Sequence, residues 1–230
     1  MLEPFGTDIW ICDGPVVTAT AGFHYPTRMA VIRVESELIV WSPVALDDDH
    51  LHEVTSLGQV HWIVAPNGIH DTFLAAWQAR FPKAQVLAPP GLAEKRPDIE
   101  FAGCLGEDQH DRWRGKIDVV LVTGNRITSE AVFFHRASGT AIFCDLLQQF
   151  PSDWFSGWRA LVARLDLMTG YEPRVPRKFR VAFTDKTAAR DAIGDILSWP
   201  VERVLMAHGA PVRSAGQAFL KRAFGWLMKA

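Results

Sequence analysis

Residues 60–77 read VHWIVAPNGIHDTFLAAW, and this stretch organises the rest of the chain. Residues 60–64 form an apolar run that predicts a buried strand. Pro66, Asn67 and Gly68 mark a turn. His70 and Asp71 are then predicted to open a helix that continues through Trp77. Because a helix N-terminus favours anionic groups, a histidine and an aspartate delivered at this point indicate a polar site.

Two later stretches repeat the pattern of an apolar run that leads into one residue able to bind a metal. Residues 141–147 read AIFCDLL and contain Asp145, and residues 204–209 read VLMAHG and contain His208. Each run is typical of a buried strand. We therefore expect the three strand ends to meet.

The composition favours one globular domain that spans residues 1–230. Of the 230 residues, 48% are hydrophobic, which is enough to fill a large core. The net charge of −2 provides no overall field for nucleic acid or an anionic membrane, so we expect neither as a partner. Cys12, Cys104 and Cys144 are scattered and form no CxxC pair, which fits reduced thiols in a cytoplasmic protein. The sequence shows no secretory signal and no transmembrane stretch.

Helical patterns dominate after residue 152. Apolar residues recur at helical spacing and predict one buried helix face, formed by Trp154, Phe155, Trp158, Leu161, Val162 and Leu165. Ser214 with Gln217 predicts a capping box for the final helix. Residues 93–116 are polar and predict irregular structure. The Trp154–Trp158 surface or the last helix could pack in a homodimer, or both could be internal.

Strands at the start, strands alternating with helices, and helices on the outside predict a mixed α/β layered fold. The order of elements and the three strand-end residues resemble the metallo-β-lactamase fold, a four-layer αβ/βα sandwich with a metal site at one edge of its sheets. The chain also resembles a branch of that superfamily in which the metal-binding signature has decayed.

The resemblance rests on four positions. The first motif of the family, His-x-His-x-Asp-His, matches residues 66–71 (PNGIHD), where proline and glycine replace the two leading histidines and His70-Asp71 reverses the closing pair. The middle histidine motif matches residues 124–129 (GNRITS), which puts Asn125 at the histidine. The bridging aspartate matches Asp145, and the last histidine matches His208.

This resemblance implies that the residues for one of two metals are lost and those for the other are kept. The kept set would be His70, Asp71, Asp145 and His208, which could hold one Zn²⁺, Mn²⁺ or Fe²⁺, if any metal is bound. Asp145 and His208 would hold the metal, and His70 and Asp71 would complete its ligands, or one of them would act as a base. A metal-bound water could then supply hydroxide. We predict Asp145, His208 and Asp71 as catalytic residues.

Other polar residues extend this hypothesis. Asn125 is predicted to orient a small-molecule substrate, and Asn67 and Glu130 to contact it. A basic group, Arg174, Arg177, Lys178 and Arg180, could bind a phosphate or carboxylate near the site, or could be a solvated loop.

A metal-free interpretation stays open for the same residues. His70 and Asp71 could cap a helix, Asp145 could accept backbone N–H groups, and His208 could be a hydrogen-bonded imidazole in a turn. Each residue alone favours this interpretation, whereas the set favours a shared pocket.

The chain lacks a GxSxG elbow, a phosphate-binding P-loop, a GxGxxG fingerprint and an HExxH motif. Two hypotheses remain: a metal-dependent hydrolase with one metal, or a catalytically silent protein that binds a small molecule or a partner protein in the same cleft.

Overall fold

The computed structural model describes residues 1–106, 113 and 115–228. One sheet contains seven strands in sequence order: β1 (Glu3–Gly6), β2 (Ile9–Thr18), β3 (His24–Val34), β4 (Glu37–Trp41), β5 (Gln59–Val64), β6 (Gln85–Ala88) and β7 (Phe101–Cys104). Strands β1 to β4 pair antiparallel, and β4 to β7 pair parallel. The first half of this sheet is therefore a meander, and the second half is built by crossovers.

A second sheet contains four strands in the order β11-β10-β9-β8. Its strands are β8 (Ile117–Val122), β9 (Glu130–His135), β10 (Thr140–Gln148) and β11 (Arg203–His208). The described helices are α1 (Asp48–Leu57), α2 (Leu74–Arg80), α3 (Leu92–Lys95), α4 (Gly157–Leu165), α5 (Arg177–Ala182), α6 (Lys186–Ser198), α7 (Gly216–Ala223) and α8 (Gly225–Met228). None of them is long and apolar enough to cross a membrane.

Three apolar layers hold the sheets and helices together. Trp41, Phe133 and Leu205 lie in the cluster between the two sheets. Trp77 of α2 lies in the cluster on the outer face of the first sheet, and Ile193 of α6 lies in the cluster on the outer face of the second. Because successive side chains of a strand point to opposite faces, each strand serves two layers. The predicted four-layer αβ/βα sandwich is confirmed.

The helix after β5 begins later than the sequence predicts. Helix α2 starts at Leu74, so His70 and Asp71 lie in the preceding turn and not in its first helical turn. The Asn67 side chain accepts a hydrogen bond from the Ile69 N–H at 3.0 Å, and this local bond competes with helix formation. The helix dipole therefore does not act on His70 in the way the sequence suggests.

The prediction of a buried face on α4 is wrong for the helix itself. Trp158, Leu161, Val162 and Leu165 are 40% to 59% exposed. Only Ala163 of this helix is buried, and it packs with Phe150, Phe155 and Met168. The helical spacing does indicate one apolar stripe, but no described part of the chain covers it.

Two further local predictions need correction. No Ser214 cap forms, because the first N–H groups of α7 are taken by backbone carbonyls: Gly216 donates to Glu202 and Gln217 to Val201. Residues 93–116 are not wholly irregular, since they contain β7 and most of α3; residues 107–112 and 114 lie outside the described residues.

We expect His135 to make stability depend on pH. Burial lowers its pKa from 6.5, and the charge of Asp8 only partly opposes this. The unfolded chain therefore binds more protons than the folded protein as the pH falls below 6.5, and the free energy of unfolding decreases by up to about 1.4 kcal/mol per pH unit. Denaturant unfolding of His135→Gln between about pH 5 and 6.5 should show a flatter dependence. His52→Gln, at an exposed site, should behave as the wild type; equal slopes in all three proteins would contradict the prediction.

Candidate metal centre

Three side chains from three strand ends meet at one point. His70 lies in the turn after β5, Asp145 lies near the end of β10, and His208 is the last residue of β11. The two Nε2 atoms are 3.1 Å apart. The Asp145 carboxylate lies 3.2 Å from Nε2 of His70 through Oδ2 and 3.4 Å from Nε2 of His208 through Oδ1. We call these three residues the His–Asp–His cluster.

A break in the β10 ladder places Asp145. Strand β10 pairs regularly with β11 up to Phe143, and the register then shifts before Gln148. The N–H groups of Cys144, Asp145 and Leu146 point instead to the buried Glu130 carboxylate, at 2.7 to 3.0 Å. Bulges of this kind turn side chains away from the regular strand pattern, and here the bulge is held by one carboxylate.

Glu130 is itself an unusual buried acid. Burial raises its pKa to about 7, and the charge of Asp145 adds to this rise, while the three N–H groups oppose it. Its role in the structure is to satisfy backbone donors that would otherwise be orphaned in the core.

Both carboxylate oxygens of Asp145 accept hydrogen bonds from neighbouring side chains. Nδ2 of Asn67 donates to Oδ2 at 2.7 Å, and Nε2 of Gln148 donates to Oδ1 at 2.8 Å. Burial alone would raise the pKa of Asp145, but the charge of His70 and hydrogen bonds from both histidines outweigh it and keep this pKa well below its usual range. The carboxylate is therefore ionised and fixed in direction, as a metal ligand must be.

The partners of the histidines orient their Nε2 atoms toward Asp145. Nδ1 of His208 lies 2.7 Å from the Pro26 carbonyl oxygen, which only accepts, so Nδ1 carries the proton. A bound metal would take the place of any proton on Nε2 of His208, whose lone pair would then face the ion. Nδ1 of His70 lies 2.9 Å from Oγ of Ser42, a buried residue whose φ of 50° is unfavourable for a residue with a Cβ. Strain held at such a position is common at functional sites.

The donor set fits one metal ion. Zinc bonds to nitrogen and oxygen are about 2.0–2.2 Å long, and in a tetrahedron of such bonds neighbouring ligand atoms lie about 3.3–3.6 Å apart. The three measured separations of 3.1, 3.2 and 3.4 Å are close to these values. Two imidazoles and one carboxylate suit Zn²⁺, Mn²⁺ and Fe²⁺. Three protein ligands leave a coordination position free, which is the pattern of catalytic rather than structural sites.

The cluster lies on a cavity of about 500 Å³. The polar part of the wall contains His70, Asp145 and His208 together with Ser42, Gln148, Asp166 and Lys178. Most of the remaining wall is apolar and includes Val17, Phe23, Tyr25, Ile69, Phe73, Ile127, Val162, Met168 and Phe179. A volume in the range of small-molecule sites, with a few convergent polar groups, is the pattern of a ligand-binding pocket.

The structure does not bring Asp71 into the cluster. The groups able to hold a metal in the described residues include His70, Asp145 and His208 without it. The Asp71 carboxylate instead lies 3.0 Å from Nη1 of Arg96, which also donates to the Asp71 carbonyl. The predicted set of four ligands is therefore reduced to three. Asp71, predicted as the fourth ligand and as a catalytic residue, instead forms an ion pair with Arg96.

The residues predicted to bind substrate do not line the cavity. Asn125 donates to the Phe179 carbonyl and accepts from the Ile127 N–H, so its side chain braces a loop. Asn67 and Glu130 are buried beneath Asp145 and support it. Ser42 and Gln148 are site residues that the sequence analysis missed. Ser42 follows the apolar strand β4, and this was the same signal that identified Asp145 and His208.

The comparison with solved structures reports on the fold. The metallo-β-lactamase FIM-1 from Pseudomonas aeruginosa in its mono-zinc form superposes with a TM-score of 0.63 at 11% identity, covering 100% of this chain and 93% of that one. A metallo-β-lactamase from Erythrobacter litoralis superposes with a TM-score of 0.66 at 11% identity, covering 100% of this chain and 96% of that one. A metallo-β-lactamase from Pontibacter korlensis superposes with a TM-score of 0.63 at 13% identity, covering 100% of this chain and 99% of that one. No protein-family model and no curated protein sequence matches the chain.

These superpositions show that the chain has the metallo-β-lactamase fold over its full length. The resemblance inferred from residues 66–71, Asp145 and His208 is thus confirmed for the fold. At 9–13% identity the likeness identifies no activity.

Proposed function

We propose that this protein is a metallo-hydrolase with a single metal, held by His70, Asp145 and His208. The observation that carries the proposal is the set of three ligand-atom separations of 3.1 to 3.4 Å on the wall of a cavity. One structural neighbour was solved in a mono-zinc form, which shows that this fold can hold one zinc. Zinc is our first candidate, with Mn²⁺ and Fe²⁺ as alternatives.

A metal bound here would lower the pKa of a bound water to about 7 and supply hydroxide at neutral pH. The chain's own residues have defined tasks. The Pro26 carbonyl fixes the tautomer of His208, and Ser42 orients His70. Asn67 and Gln148 fix the carboxylate of Asp145. Supporting hydrogen bonds of this kind typically contribute 10-fold to 100-fold in metal affinity or activity.

A second candidate is a protein without catalysis that binds a small molecule in the same cavity. The cluster is self-satisfied as it stands, since each oxygen of Asp145 has a protein donor and each histidine has a partner on both nitrogens. A hydrogen-bonded His–Asp–His cluster can therefore persist without metal. Metal content separates the two candidates.

We expect about one zinc, manganese or iron atom per chain in protein purified without chelator, measured by elemental mass spectrometry. His208→Ala should lose the metal because it removes one of three ligands. His61→Ala is the matched control, since His61 is half-buried next to Glu37 and lies outside the cluster. Wild-type protein that holds no metal after incubation with each of the three ions would rule out the hydrolase proposal. Retention of metal by His208→Ala would show that the site lies elsewhere.

Three expectations from the sequence stay predictions. They are that residues 1–230 form a single domain, that the protein can form a homodimer, and that it is cytoplasmic.

A further inference from the structure

The cavity opens between apolar side chains that reach the surface. Ile69, Ile127 and Val162 line the cavity and are at the same time between 39% and 47% exposed. Val162 belongs to α4, whose Trp158, Leu161 and Leu165 are more exposed still. Large apolar side chains gathered on one nine-residue helix at a cavity mouth are uncommon on a soluble protein surface and indicate a binding site.

The polar end of the cavity carries one cation. Lys178 is the one lysine or arginine that lines the cavity among residues 1–106, 113 and 115–228. Its Nζ donates to Oη of Tyr25 at 3.1 Å and lies 3.7 Å from the Asp166 carboxylate. The Tyr25 ring packs 5.4 Å from the His208 ring, so the ammonium group and the His–Asp–His cluster both contact this side chain.

An ammonium group has three donors. The Lys178 ammonium group makes one short hydrogen bond, to Oη of Tyr25. Asp166 balances the charge of Lys178, but its carboxylate lies 3.7 Å from Nζ, as does Sδ of Met168, so a ligand oxygen can still come within hydrogen-bonding distance of the ammonium group. The cavity therefore has a hydrogen-bonding end, to which the proposed metal would add positive charge, and an apolar mouth. Such a cavity matches a ligand with an anionic or carbonyl head and an apolar tail.

We propose that the cavity binds an aliphatic acyl chain, with its carboxylate or ester head toward Lys178 and the His–Asp–His cluster and its chain leaving past Ile127 and Val162 onto α4. The reaction would be hydrolysis of an acyl ester, and this part rests on the proposed function. The oxygen of water bonds to the carbonyl carbon, the bond from that carbon to the alcohol oxygen breaks, and the alcohol leaves with a proton. The fatty carboxylate is then both the product and a usable probe for binding.

A second copy of this chain is a poorer occupant of the α4 face. A two-fold contact brings the same surface of both copies together. Arg164 and Arg177 are exposed, so a contact of this face with itself would bring two arginines from each copy into one interface. Like charges opposed in this way disfavour association. An acyl chain brings no charge to the apolar mouth and brings a negative charge to Lys178.

The test is calorimetric titration of the metal-loaded and metal-free protein with butanoate, octanoate and dodecanoate, below the concentration at which they form micelles. Each buried methylene should increase affinity about fourfold (about 0.8 kcal/mol). Octanoate should therefore bind on the order of 200-fold more tightly than butanoate. Affinity that does not change with chain length would overturn the proposal.

Two valines provide a matched pair of variants. Val162→Asp places a charge on the cavity rim and should weaken dodecanoate binding at least tenfold. Val181→Asp introduces the same charge at an exposed valine that does not line the cavity, and should leave binding unchanged. An equal loss in both variants would overturn the proposal, as would no loss in either.

Lys178→Met tests the head group. It should weaken dodecanoate more than dodecanol, because only the carboxylate loses a charge-assisted hydrogen bond. Equal weakening of the two ligands would contradict the assigned orientation. The two proposals fail separately: chain-length-dependent binding in a protein that holds no metal would retain the acyl site and reject the hydrolase, and a metal-loaded hydrolase without chain-length dependence would do the reverse.

Discussion

Asp145→Asn is expected to abolish tight metal binding while leaving the protein folded. Asparagine keeps the shape of the side chain but removes the negative charge that both histidines face at 3.2 and 3.4 Å. The fall in zinc affinity, measured by competition with a chromophoric chelator, should exceed the 10-fold to 100-fold loss that removal of a supporting hydrogen bond causes. The free energy of unfolding of the metal-free protein should decrease by about 3 kcal/mol, since a partner of a buried ionic cluster is lost.

Asp145→Ala serves as the comparison for this variant. It should lose the metal equally but unfold more easily, because Asn67 and Gln148 would each be left with an unsatisfied buried donor. If Asp145→Asn bound zinc as tightly as the wild type, Asp145 would not be a ligand. The His–Asp–His cluster would then have to be interpreted as a hydrogen-bonded group.

Asn67→Asp is expected to have the second largest effect, on stability. Nδ2 of Asn67 donates to the Asp145 carboxylate at 2.7 Å, and both residues are buried. Aspartate at this position would place a second carboxylate against the first, with Glu130 close behind. An uncompensated buried charge costs about 3–5 kcal/mol. Chemical denaturation of the metal-free variant at neutral pH should show a loss of this size.

Asn67→Ala separates charge repulsion from the loss of the hydrogen bond. It removes the donor to Asp145 and the acceptor for the Ile69 N–H, and should cost about 2–3 kcal/mol. The stability of Asn67→Asp should in addition improve as the pH is lowered and one of the two carboxylates takes up a proton. If Asn67→Asp were no less stable than Asn67→Ala at neutral pH, the Asp145 carboxylate would not be ionised as argued.

The sequence was sufficient to predict the fold and the meeting of His70, Asp145 and His208. His70, Asp145 and His208 each follow an apolar run; β10 and β11 are neighbours in one sheet, β5 belongs to the other, and the same end of the two packed sheets brings the three side chains together. The apolar-run pattern is local, which is why it succeeded without knowledge of the packing. The register shift in β10 that directs Asp145 toward the histidines was not visible, because it depends on Glu130, which lies 14 to 16 residues away from the N–H groups it accepts.

The errors at Asp71 and α4 have a common physical cause. The position of Asp71 beside His70 is a local fact, but its partner Arg96 is 25 residues away and is brought to it by the tertiary structure. Helical spacing likewise predicts that α4 has one apolar face, but periodicity alone does not tell whether another element covers that face. In both cases the deciding contact is long-range, and a single sequence carries no record of it.

The most direct test of the central claim is anomalous X-ray diffraction at the zinc edge from crystals grown with one equivalent of Zn²⁺. We expect a single peak bonded to Nε2 of His70, Nε2 of His208 and the carboxylate of Asp145, at about 2.0–2.2 Å from each. A peak bonded to Asp71, or no peak at the His–Asp–His cluster in crystals that contain zinc elsewhere, would contradict it.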